Sequence, residues 1–482
     1  MSGKRILLVL VALTLWLPLV VPAFFRNTGD SSWQKSFHAN LQVRLASRVM
    51  SVSQKYHLSL MESQVAEILD GVNFSKAQSS TVHSAASLYC LCHQPTKAQN
   101  LLKKIRTEEV SSVTDVLLTI CCGQTPTTEE IQNAFNLLNI ELKEAVDTFY
   151  NDPLAYSYIM QTIQKGATQP EQNGRLGERI HALQHQTDRF LIIAGLWATL
   201  LSLSFILLAA YIIKVLSAPK FEQHDKKDES EDDCIWKPIP TLYLFVALNW
   251  LGACLSALLA TIIFPMVDNN RYYIPVILFF SQIFVYIVSV AALVLTIKYV
   301  CEPKKVETAV PSNYWQKIKK SAIFLLKALH LHEFKTSYIA YGCATFALAC
   351  LTSVFTAMLT SLFTQSSVQS SNIVLTFLMQ APEPVFWLLF FLVISGPIYE
   401  EIVYRGLLFS GLSKTATVAG AALISSLMFS AVHGDPQGVL VLAGLGAVFC
   451  AARHYTGSLW PSVIAHALWN CQVVVYVLIV GR

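Results

Sequence analysis

The sequence predicts an all-α protein: a polytopic membrane helix bundle of about eight spans after residue 189, preceded by an N-terminal exported helical-repeat domain. Three observations predict it. Of 482 residues, 54% are hydrophobic and 14% charged, with a mean hydropathy of +0.47. That is too apolar for an ordinary soluble enzyme and too long for one domain. Apolar runs able to cross ~30 Å of hydrocarbon recur from residue 190 onward. The stretch before them is polar and spaces its apolar residues by three and four, the helical period.

Residues 1–25 carry Lys4 and Arg5 ahead of an apolar run interrupted by Pro18 and Pro22. This reads as a signal peptide cleaved after Ala23 or as an uncleaved signal anchor, and either one exports the polar stretch behind it. Residues 26–188 are then a luminal helical domain. It holds the glycosylation sequon Asn73-Phe74-Ser75. Cys90, Cys92, Cys121 and Cys122 are candidate half-cystines in an oxidising lumen, the alternative being small buried packing residues. No histidine set accompanies them, which argues against zinc there. The segments "HSAASLYCLCHQ" and "VTDVLLTICCGQ" repeat one helical pattern about thirty residues apart, as stacked hairpins do. This domain offers no catalytic cluster, so it is expected to bind a luminal protein partner or to act as a structural cap.

Residues 189–335 read as membrane spans with cytosolic loops. The first span ends at Lys214, and "KFEQHDKKDESEDD" comes after it as a solvated loop of mixed charge. Spans near Thr241–Met266 and Tyr273–Thr296 come next. "WQKIKKSAIFLLKALHLHEFK" puts Trp315, Ile318, Ala322, Leu325 and Leu329 on one helical face. It reads as an interfacial helix or as a basic linker. The positive-inside rule puts these basic loops in the cytosol and the N-terminal domain on the other side. The net charge of +4 is not gathered into one stripe, so nucleic acid is not an expected partner; the lipid bilayer is.

Residues 336–482 hold five more apolar segments, Ser337–Phe363, Val385–Leu412, Val418–Val432, Val439–Arg453 and Leu459–Val480. Among the few charges here are Glu400, Glu401 and Arg405. A charge at mid-bilayer costs roughly 2.5–3.5 kcal/mol, so three within a turn and a half require pairing or function. Glu401 and Arg405 are four apart and share a helix face, whereas Glu400 is rotated by about 100° and stays available for other work. Two more polar pairs at spacing four lie downstream, Phe429 with His433 and His466 with Asn470. A carboxylate with a histidine can activate a water, while a second histidine and an amide can donate to an oxyanion.

The ordered trio Glu-Glu-x-x-x-Arg, Phe-x-x-x-His and His-x-x-x-Asn resembles the CPBP family of intramembrane glutamic endopeptidases. This is also called the Abi or CAAX-protease-and-bacteriocin-processing family, and it includes the type II CAAX prenyl endopeptidases. "GPIYEEIVYRGLLFSGL" and "TGSLWPSVIAHALWN" are similar to its members beyond the motif letters, and the likeness covers about residues 336–480. The resemblance implies that Glu400 and His433 activate water, that His466 and Asn470 form an oxyanion hole, and that Glu401, Arg405 and Phe429 support the site. It further implies hydrolysis without a cofactor, with zinc on the histidines and a carboxylate as the alternative. The implied substrates are membrane-bound peptides or prenylated CAAX proteins. The exported domain departs from the CAAX-processing branch and leaves the substrate open.

Other hydrolase motifs fail residue by residue. "HEFKT" has Thr336 where a zincin needs histidine. "VISG" and "LFSG" lack the first glycine of a rhomboid-like Gly-x-Ser-Gly, and Val432 occupies the first glycine of a presenilin-like Gly-x-Gly-Asp. The expectation is an endopeptidase of the endoplasmic reticulum membrane. Its competitor is a non-catalytic adaptor that binds transmembrane clients.

Overall fold

A computed structural model describes most of residues 32–106, scattered positions to 130, then 171–217, 238–263, 274–301 and most of 326–363 and 389–481. The signal segment, residues 315–325 of the expected interfacial helix, Cys121 and Cys122 lie outside the described residues, as does most of the second repeat copy. Leu329, read as part of that helix's apolar face, is a turn residue buried in a core with Leu407 and Leu459. Among the described residues the secondary structure is helical throughout, with no strand. They divide into two compact units, which meet in sequence near residue 198.

The N-terminal unit contains α1 (Ser32–Tyr56), α2 (Leu60–Asp70), α3 (Ser79–Leu91) and α4 (Pro95–Arg106). Pro95 opens α4, where its missing N–H costs nothing and its fixed φ suits the first turn. Apolar residues at helical spacing form the core: Val43, Ala46 and Met50 meet Val65 and Leu69, Ala85, Leu88 and Tyr89, and Ala98 and Leu102. Alanine at so many of these positions allows close helix approach. Polar ties fix the register. Asn40 Nδ2 donates to Thr81 Oγ1 at 3.2 Å, and Asp70 accepts from Tyr89 Oη at 2.9 Å and from Lys97 Nζ at 2.6 Å. The Lys97 hydrogen bond holds the Asp70 carboxyl below its ordinary value. Cys92 is buried in this core, which pushes its thiol up to about 12. Asn73 is exposed, and its Oδ1 accepts from Ser75 N at 3.0 Å, an Asx turn on the sequon.

The membrane unit draws on α5 (Glu171–Ser217), α6 (Pro238–Ile263), α7 (Ile274–Cys301), α8 (Ser337–Phe363), α9 (Gly396–Glu401), α10 (Val418–Val432), α11 (Val439–Thr456) and α12 (Trp460–Gly481). Among the described residues, four stretches are long and apolar enough to cross a membrane: Thr187–Ile213, Ile239–Leu259, Ser337–Thr360 and Val439–Thr456. Phe280–Leu295 and Val418–Val432 are shorter apolar helices. Each apolar segment read from the sequence after residue 189 therefore contains helix, and the fold is a multi-pass helical bundle.

α9 is flanked by two π-helical segments, π1 (Phe391–Ser395) and π2 (Ile402–Phe409). The apolar pattern alone predicts a plain helix here. Pro397 explains the first departure: it cannot donate within a helix, and Gly396 N reaches five back to Phe391 O instead. In π2, hydroxyls take up carbonyls that the wider winding leaves: Ser410 Oγ donates to Arg405 O at 2.9 Å and Ser425 Oγ to Tyr404 O at 3.0 Å. Inside a bilayer such carbonyls need protein partners. α10 starts at the N-cap Thr417, whose side chain accepts from Gly420 N. α11 ends at Gly457, whose φ of 67° is the left-handed C-cap that glycine adopts without strain.

The core of this unit centres on π2. Tyr404, Leu407 and Leu408 pack with Phe245 of α6, Phe429 of α10 and Leu459. The Tyr404 ring lies edge-on to Phe245 at 5.4 Å and to Phe429 at 5.2 Å.

Candidate active site

The Glu-Glu doublet closes α9, and its two members separate as the helical period demands. Glu401 is fully buried, while the Glu400 side chain is 25% exposed. Arg405, four residues on in π2, is also fully buried and donates from Nη1 to Glu401 Oε1 at 2.8 Å. Its Nη2 reaches the carbonyl of Gly446 on α11 at 3.4 Å. The guanidinium lies over the rings of Phe429, at 4.4 Å, and Phe449, at 5.2 Å. The Tyr404 ring lies at 5.9 Å as well, so the buried cation is met by one carboxylate, one carbonyl and three aromatic rings.

His466 of α12 turns toward the same carboxylate. Its Nδ1 lies 3.0 Å from Glu401 Oε1, so the ionised carboxylate accepts and Nδ1 carries the proton. The ring stacks on Phe449 at 5.2 Å and meets Phe429 edge-on at 5.8 Å. Its other nitrogen, Nε2, stands 3.7 Å from Glu400 Oε2, beyond a hydrogen bond. Glu400 Oε2 is buried and has no hydrogen-bond partner. One imidazole therefore sits between two carboxylates.

His433 ends α10. Its Nδ1 is 2.8 Å from the Phe429 carbonyl, an acceptor only, so Nδ1 carries a proton, and in the neutral ring Nε2 is the nitrogen with the lone pair. Phe429 packs against this ring at 4.8 Å. His433 and Glu400 line one cavity of about 400 Å³, walled also by α6 and α7. That volume suits a segment of a small ligand or peptide. Asn470, one turn beyond His466, donates from Nδ2 to Leu392 O of π1 at 2.8 Å, leaving its other N–H for a second acceptor. Neither His466 nor Asn470 lines the cavity.

The structure brings Glu400, Glu401, Arg405, Phe429, His433 and His466 together, with Asn470 adjacent through α12. Sequence reasoning missed Phe449, which nothing near it signalled. It also missed the cavity wall: Tyr399, stacked on Tyr286 of α7 at 4.0 Å, and Asn249 and Gln282. The last two were visible as isolated amides in apolar spans. Among the described residues, no three His, Cys, Asp or Glu side chains are gathered as metal ligands.

Fold and site together define a multi-pass helical membrane protein with a glutamate and a histidine lining a cavity between its helices. Residues 382–472 match the family model described as "Type II CAAX prenyl endopeptidase Rce1-like", so the C-terminal resemblance holds, over a range that begins after α8. Two curated relatives are similar to this chain. The "Membrane-embedded CAAX protease MroQ" of Staphylococcus aureus (strain USA300) is 36% identical over 102 residues, 20% of this chain and 40% of the relative. The "Putative membrane peptidase YdiL" of Bacillus subtilis (strain 168) is 35% identical over 82 residues, 17% of this chain and 34% of the relative. The chain spans about a third to two-fifths of the length of these relatives. No solved structure matches it.

Proposed function

We propose that this protein is an intramembrane, metal-independent glutamic endopeptidase that hydrolyses peptide bonds of membrane-associated substrates, prenylated CAAX sequences among them. The observation that carries the reading is that Glu400, with an unpartnered buried oxygen, and His433, with Nδ1 tied to Phe429 O, line the same cavity. Glu400 takes a proton from water, His433 Nε2 orients that water, and the water oxygen attacks the scissile carbonyl carbon. The carbonyl electrons move onto its oxygen. His466 stabilises that oxyanion when its ring is protonated, Nδ1–H held by Glu401 and Nε2–H donated forward, and the second N–H of Asn470 adds a donor. Collapse breaks the C–N bond, and the proton held by Glu400 passes to the departing amine. Glu401 and Arg405 touch no substrate in this scheme; they position His466.

The same proposal places residues 1–25 as a signal peptide or anchor and 26–188 as a glycosylated luminal domain. Residues 189–335 are spans and cytosolic loops, and 336–482 the hydrolase core in the endoplasmic reticulum membrane. The exposed Asx turn at Asn73 supports the glycan. An endoglycosidase mobility shift, lost in Asn73→Gln, is the check on that side of the membrane.

The activity test uses full-length wild type, Glu400→Gln and His433→Ala in detergent, with a farnesylated CAAX peptide and a panel of transmembrane peptides, with and without chelator. Cleavage by wild type, lost by at least about 10²-fold in both variants and indifferent to chelator, is the expected result. Chelator-sensitive cleavage overturns metal independence. Equal cleavage by Glu400→Gln overturns the role of the glutamate.

A further inference from the structure

The cavity has two sides. Glu400, Val403, Tyr404 and His433 lie within residues 382–472, whereas the facing wall comes from α6 and α7, outside them. Apolar side chains would suffice to close a membrane cavity. Instead α6 presents Asn249 and Ser256, two turns apart on one face with Gly252 between them, and α7 presents Gln282 one turn before Tyr286. Amides in apolar spans are costly unless they hold helices together or meet a ligand.

Asn249 does not bond across to another helix. Its Nδ2 donates to Phe245 O, one turn back on its own helix, at 2.8 Å. That bond turns the amide so that Oδ1 is the atom left to accept, and among the described residues no donor reaches it. Phe245 is itself fully buried against Tyr404, so the amide is set on a rigid base. Gln282 is tied by a side-chain hydrogen bond to Tyr286, one turn on along α7, and the amide's remaining hydrogen-bonding capacity faces the same wall. An acceptor beside a donor–acceptor pair, opposite a carboxylate and an imidazole, is complementary to a main chain, which offers N–H and C=O in alternation.

We propose that α6 and α7 form the substrate-positioning wall of the cavity, with Asn249 Oδ1 accepting a backbone N–H of an extended peptide and Gln282 bonding the main chain beside it. This rests on the peptidase reading above, and it assigns to these helices the recognition of the peptide backbone. Asn249 and Gln282 are positioning residues that hold the scissile bond against Glu400; neither reacts.

The test uses full-length protein in detergent and a farnesylated CAAX hexapeptide whose amides are N-methylated one at a time. Binding is read by fluorescence anisotropy in the Glu400→Gln background, and kcat and KM in the Glu400-intact protein. Asn249→Leu, which keeps the helix and the branched heavy-atom skeleton, is expected to raise Kd and KM about five- to tenfold. One N-methyl position should cost the parent protein the same factor and cost Asn249→Leu nothing further. Gln282→Leu should behave likewise with a neighbouring amide. A thermal midpoint equal to that of the parent excludes misfolding as the cause, and Asn249→Asp, which retains the acceptor oxygen, should bind more tightly than Asn249→Leu. Unchanged Kd and KM in both leucine variants, or costs that multiply with N-methylation at every position, overturn the wall. Binding that weakens as described in a protein that never cleaves upholds the wall and overturns the peptidase reading. Cleavage with leucine variants at parental KM does the reverse.

Discussion

Replacing Glu401 with glutamine removes the one carboxylate that faces Arg405, and both side chains have zero exposure. The 2.8 Å ion pair cannot be replaced by water, because the guanidinium is enclosed by Phe429, Phe449 and the Gly446 carbonyl. The aromatic contacts are present before and after the change and offset nothing. Leaving a buried cation without its counter-charge costs about 3–5 kcal/mol. Removing both charges, in Glu401→Gln with Arg405→Met, takes away the unpaired cation as well as the pair. The double variant should therefore lie at least about 2 kcal/mol closer to wild type than the sum of the single costs. Equilibrium unfolding of wild type, both single variants and the double variant in mixed detergent micelles measures all four corners. Glu401→Gln also frees His466 Nδ1 from its ionised acceptor, so activity should fall in the single and double variants alike. Additive costs, or single costs under about 1 kcal/mol, would refute the claim that this ion pair is buried and mutually dependent.

Two further predictions come from packing and from pH. A Cβ on Gly446 would lie 2.9 Å from Ser426 Cβ and 3.0 Å from its backbone Cα, so Gly446→Val must push α11 away from α10. It should cost about 1–3 kcal/mol in the same unfolding assay, and it should lower activity by shifting the carbonyl that Arg405 uses. In the N-terminal unit, burial drives His83 down to about 4 from its ordinary 6.5. A folded value below the unfolded one means that the neutral ring's contribution is complete above about pH 6.5. It is lost as pH falls toward 4, about 3 kcal/mol in all. Amide exchange of α3 in the full chain, compared at about pH 7 and about pH 4.5 after correction for intrinsic rates, should show the loss, and His83→Gln should flatten it.

Much of this molecule is written locally. Long apolar runs can satisfy their backbone in a bilayer as helices, so the helices after residue 189 were legible from hydropathy, although among the described residues four of them are long and apolar enough to cross a membrane where about eight spans were read. Helical boundaries such as Ser337–Phe363 and Val418–Val432 agree residue for residue with the runs. The split between Glu400 and Glu401 was legible too, because adjacent helical residues must point about 100° apart. What the fold alone decided is which residues meet across helices. Phe449 became a partner of Arg405 and His466 because α11 packs beside π2. Nothing local announced the π segments beyond Pro397 and the serines that serve them. The division of labour between the histidines depends on distance in space: His433 is bound to a carbonyl of its own helix and lines the cavity, whereas His466 is bound to a carboxylate 65 positions away. Sequence determined the elements and the chemical groups, since periodicity and residue type act at short range. Tertiary structure decided the pairing, burial and cavity, since those depend on neighbours brought together only when the helices pack.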